Sequence, residues 1–142
     1  MTTLPKTANT PVVRTDFSNA EKWLAIRAAI CKPQNAEGYD FHAQLDFVDD
    51  SQFRNATAEE LLTMLTADYE HVVLFVVDAM ATAHPESPIL VVSCCEPRGR
   101  TFRTTPSQVQ GIENNLSIAN MDFDEFADSV DGDRVFRGFR EL

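Results

Sequence analysis

Val72-Val73-Leu74-Phe75-Val76-Val77 runs into Asp78 without a polar interruption. A strand with water on one face alternates apolar and polar residues; a strand covered on both faces does not. The run is too short for an ordinary helix, and its valines are branched at Cβ, which suits pleated backbone. It therefore predicts a central strand with a layer on each face. That places the chain in the α/β class, as a single domain with a mixed sheet of about five strands, two βαβ units at the start, helices packed on the sheet and two C-terminal helices.

Upstream, Thr57-Ala58-Glu59-Glu60 has the form of a capping box, and Leu61, Leu62, Met64 and Leu65 give the helix behind it an apolar face. Phe41-His42-Ala43-Gln44-Leu45-Asp46-Phe47 alternates and predicts a half-exposed edge strand. Val12-Val13-Arg14-Thr15-Asp16-Phe17 predicts the first strand. Ser18 or Asn19 caps a helix whose Trp23, Ile26 and Ile30 form one stripe. Pro33 ends that helix, and residues 34–40 read as a polar loop. Residues 1–10 are polar and read as a flexible tail, so the domain spans 11–142.

Downstream, residues 79–83 allow one helical turn, and Ile89-Leu90-Val91-Val92-Ser93-Cys94-Cys95 predicts another buried strand. Thr101-Phe102-Arg103-Thr104 reads as a more exposed one. Thr105-Pro106 starts a helix carrying Val109, Ile112 and Leu116, and a second helix from Asp122 buries Phe123, Phe126, Ala127 and Val130. Val135-Phe136-Arg137-Gly138-Phe139 is a tail that docks on the body. Right-handed crossovers put the second strand outside the first and the central strand on its other side, all parallel. The link from Asp78 to Pro88 is short and predicts an antiparallel addition. A thioredoxin-like layout has the same order, but no CxxC follows the first strand.

The net charge is −10 over 142 residues, and the acidic excess lies between residues 49 and 96. A nucleic-acid partner would need Lys and Arg to neutralise phosphates, so none is expected; a basic partner protein or a cation fits the field, and so does a plain soluble surface. No apolar run reaches the roughly 20 residues of a membrane helix, and no signal-peptide core precedes residue 10, so no membrane partner and a cytoplasmic location are expected. The three cysteines form no disulfide framework and no zinc motif. No cofactor-binding or catalytic motif appears, and no cofactor is expected.

Parallel strands of an α/β sheet present ligands beyond their carboxyl ends. Asp16, Asp49, Asp50 and Asp78 follow the first three strands. On one rim they would form a site for a hard cation such as Mg²⁺ and for phosphoryl transfer. The plainer reading has each aspartate capping the next element. Cys94 or Cys95 becomes a nucleophile only if a base such as His84 reaches it; otherwise they are inert. Arg98, Arg100 and Arg103, and Arg134, Arg137 and Arg140, either clamp an anion or pair with carboxylates.

Three stretches carry a resemblance: Val12 to Ser18, His84 to Val92 and, most specifically, Glu113-Asn114-Asn115-Leu116-Ser117-Ile118-Ala119-Asn120-Met121-Asp122-Phe123, with Val135 to Phe139 closing the chain. Over about residues 11–139 the chain resembles an uncharacterised family of small stand-alone domains of unknown function. The resemblance implies a domain boundary and no mechanism. Glu113, Asn114, Asn115, Asn120 and Asp122 read either as a polar corner between two helices or as a binding surface, since amides both donate and accept. The function expected from the sequence is a non-enzymatic acidic protein-binding or regulatory module. A small Mg-type enzyme built on the strand-end carboxylates is the alternative.

Overall fold

The structure is a computed structural model. It describes residues 2–32, 34–36, 39–41 and 44–139, with the backbone alone for 34–36 and 39–41. The strands are β1 (Thr10–Arg14), β2 (Gln34–Ala36), β3 (Tyr39–Phe41), β4 (Leu45–Val48), β5 (Val73–Val77), β6 (Ile89–Ser93), β7 (Thr101–Thr104) and β8 (Val135–Phe136). The helices are α1 (Ala20–Cys31), α2 (Ala58–Thr63), α3 (Ala79–Ala83), α4 (Val109–Ser117) and α5 (Phe123–Ala127).

The main sheet has six strands in the order β4-β1-β5-β6-β7-β8. β1 runs parallel to both β4 and β5, β6 is antiparallel to β5 and to β7, and β8 is parallel to β7. The expected neighbours of the first strand and the antiparallel addition are both present.

β5 explains its own sequence. Val73, Phe75 and Val77 face one core, with Trp23, Ile26 and Ile30 of α1 and residues of α4 and α5. Leu74 and Val76 face the other, with Phe53, Leu61 of α2 and Leu4. Both faces are dry, so the alternation vanishes. α1 starts at Asn19, whose side chain accepts from the Lys22 N–H, and α2 starts on the Thr57 and Glu60 capping box.

Four readings change. Residues 34–40 were expected to loop, but β2 and β3 pair there as a separate antiparallel ladder. The strand expected over 41–47 begins at Leu45; His42 and Ala43 lie outside the described residues. The docking tail becomes a sixth strand, because Val135 and Phe136 add to the edge of β7. Residues 2–9, read as a tail, lie along the body: Leu4 is buried, its N–H donates to the Met64 carbonyl, and a His71 ring nitrogen meets the Thr7 carbonyl at 2.9 Å.

Candidate functional site

The parallel register brings the carboxyl ends of β1, β4, β5 and β7 to one edge, so Asp16, Asp49, Asp50 and Asp78 share a rim with Arg14 and Arg103. Their side chains are already engaged. Asp78 accepts from the Ala81 N–H at the start of α3 and takes a two-pronged contact from Arg103 at 2.9 and 2.7 Å. Arg103 also donates to the Pro88 carbonyl. Asp49 pairs with Arg14 at 3.2 Å, and Asp50 accepts from the Gln52 N–H, opening a single 3-10 turn.

Arg14 is buried, and its guanidinium lies 4.4 Å from the Phe17 ring centroid and 5.3 Å from that of Trp23. Burial works to raise Asp16, but hydrogen bonds from the Ser18 and Thr82 hydroxyls and the Ser18 N–H, with the Arg14 charge, hold it below its ordinary value. Among the described residues no three His, Cys, Asp or Glu side chains come together in a way that could hold a metal ion. A hollow of about 400 Å³ beside Thr15, Asn55, Asp78 and Arg103 marks this edge. Its charged groups are spent on each other.

The same edge carries a latch. Arg137, just after β8, contacts Glu86 at 2.8 Å, Asp131 at 2.7 Å and Asp133 at 2.6 Å. The Arg137 hydrogen bond outweighs burial and pulls the Asp133 carboxyl down to about 2. Such a carboxylate stabilises the fold above its unfolded value, and the contribution is lost as pH falls through the folded one. Melting temperature should therefore drop as pH goes from 3.8 towards about 2, and less steeply in Arg137→Met. The pairs face water, so 0.5 M NaCl should weaken the effect. Equal slopes in both proteins would contradict it.

His84 precedes β6 and Cys94 follows it, so a strand's length separates them. Cys94 is buried, and burial pushes its thiol up to about 12 despite the Tyr69 hydroxyl and Arg98. Cys31 and Cys95 are exposed. A thiol reagent at pH 8 should modify Cys31 and Cys95 in the folded protein and Cys94 only after denaturant. Rapid labelling of all three would contradict this.

The remaining candidates form the corner between α4 and α5. Glu113 is buried and accepts from Thr10 and Ser117 hydroxyls at 3.1 and 2.7 Å. Asn115 donates to the Gly111 carbonyl and accepts from the Asn120 amide. The Ala119 N–H reaches the Leu116 carbonyl, and the Asn120 N–H that of Asn115, which closes the end of α4. Ala119 takes the left-handed conformation there, φ 56°, that usually falls to glycine. Asn114 is half-buried, with its backbone carbonyl accepting from Ile118. Asp122 is exposed, its N–H donating to Glu125. Glu113, Asn115 and Asn120 thus shape the corner, and Asp122, exposed to water, caps the start of α5 in a capping box with Glu125.

Against this corner lies a feature that no single stretch of sequence announces. A hollow of about 190 Å³ opens between the segment after β6 and the corner, with Val72, Leu116, Met121 and Phe123 as its apolar wall. It adjoins a more polar trough of about 400 Å³ beside Pro97 and Asp124, and Glu96 and Asp122 line both. It sits at the end of the sheet opposite the carboxylate rim.

A family model described as Domain of unknown function (DUF6924) matches residues 9–139. No curated protein and no solved structure matches the chain. No helix among the described residues is long and apolar enough to cross a membrane.

Proposed function

The chain belongs to this family of unknown function (DUF6924), and we propose that it is a non-enzymatic acidic module that binds a basic partner protein. One observation carries the reading. The strand-end carboxylates, which would be the chemical groups of an enzyme, are engaged by Arg14, Arg103 and backbone amides. The acidic groups left facing water in the middle of the chain, Glu59, Glu70 and Glu96, belong to the surface instead. A net charge of −10 adds a long-range field that attracts a cationic partner and speeds encounter.

Cross-linked pull-down from the source cell tests this. Wild type should recover a basic protein, and Glu59→Lys/Glu70→Lys/Glu96→Lys or raised salt should release it. Unchanged recovery would contradict the reading. A rise in melting temperature with Mg²⁺ or Mn²⁺ that Asp78→Asn abolishes would favour the carboxylate site instead.

A further inference from the structure

We infer that the hollow between the segment after β6 and the α4–α5 corner takes a short segment of that partner in which one apolar side chain is flanked by Lys or Arg; the inference rests on the basic-partner reading. Small-molecule sites usually enclose roughly 300–1,000 Å³. At about 190 Å³ the apolar hollow is smaller, and suits one inserted side chain better than a cofactor. Interfaces gain most of their energy from such a central apolar anchor, with charges at the rim setting partner choice.

The rim is acidic on balance, and Arg100, one of its two cations, is neutralised by carboxylates. Arg100 pairs with both Asp124 and Asp128, and Arg98 donates to the Cys94 and Leu62 carbonyls. Among the described residues, Glu96 and Asp122 have no ion pair, and both are exposed. A cation entering beside the hollow meets two exposed carboxylates that no ion pair occupies, whereas an acidic segment is repelled. Ile118, 64 % exposed, extends the apolar surface from the same corner.

A random-peptide display selection tests the site with three proteins: wild type, Glu96→Lys/Asp122→Asn at the hollow, which keeps a helix-capping side chain at 122, and Glu21→Lys/Ala25→Lys on the exposed side of α1, which makes the same change in net charge elsewhere. Circular dichroism verifies that all three fold. Wild type and the α1 variant should enrich apolar residues flanked by Lys or Arg. The hollow variant should bind a selected peptide about tenfold more weakly or worse. Equal binding by all three, or loss in both variants, would overturn the hollow as the site and leave the basic-partner reading standing. No excess of Lys and Arg in the wild-type pool would overturn that reading itself.

Discussion

Asp78→Ala should lower the unfolding free energy by about 3 kcal/mol, because it removes a helix cap and strands a mostly buried guanidinium. The Asp78 and Arg103 side chains are 24 % and 18 % exposed. Arg103 cannot follow water outward without giving up the Pro88 carbonyl. Arg103→Met should cost about 2 kcal/mol, and the double variant less than the sum of the two, since the contact is lost only once. Asp78→Asn keeps an acceptor for the Ala81 N–H and should fall between. Urea denaturation of the four proteins measures the cycle. The sign bears on function as well. A carboxylate kept for catalysis or metal binding is commonly a burden on the fold, and its removal is neutral or stabilising. A scaffold carboxylate gives a loss. A gain in stability for Asp78→Ala would reopen the rim as a reactive site.

Gln110→Glu should cost about 3 kcal/mol at pH 7 through a different route. The Gln110 side chain is buried and donates to the carbonyls of Ile30 and Lys32, each at 2.7 Å. It thereby closes the end of α1, where the last turn carries no basic side chain. A carboxylate of the same shape would aim negative oxygen at those carbonyls. Protonated, it recovers one donor. Its folded pKa is thus raised above the unfolded value of about 4.3, so the variant should be least destabilised below that pH and increasingly so as pH rises. Gln110→Leu should lose stability without that pH dependence, because it removes the two donated hydrogen bonds but introduces no charge. Similar losses at pH 4 and 7 for Gln110→Glu would contradict the assignment.

The sheet was legible where one physical signal dominated. β5 declared itself because both of its faces are dry, and the order β4-β1-β5 follows from right-handed crossovers once two helices are placed. β8 did not declare itself, since two residues cannot show an alternation. β2 and β3, Gln-Asn-Ala and Tyr-Asp-Phe, carry no period either. The rim was half legible. Strand ends predicted that the aspartates would share an edge. Their partners were hidden, because Arg103 lies 25 residues from Asp78 and Arg14 lies 35 from Asp49. The polar run from Glu113 to Asp122 was visible, but whether it was corner or surface depended on which residues faced inward. The hollow was invisible, since Val72, Glu96 and Met121 come from three separate segments.

On the proposed function, the carboxylate rim is scaffold and the opposite end of the sheet meets the partner. Amide chemical-shift mapping during titration with one Lys- and Arg-flanked apolar peptide from the selection addresses this directly. The largest shifts should fall on Val72, Cys95, Glu96, Met121 and Asp122, with Thr15, Asp16, Asp78 and Arg103 unmoved. Shifts centred on Asp16, Asp49 and Asp78 would contradict it.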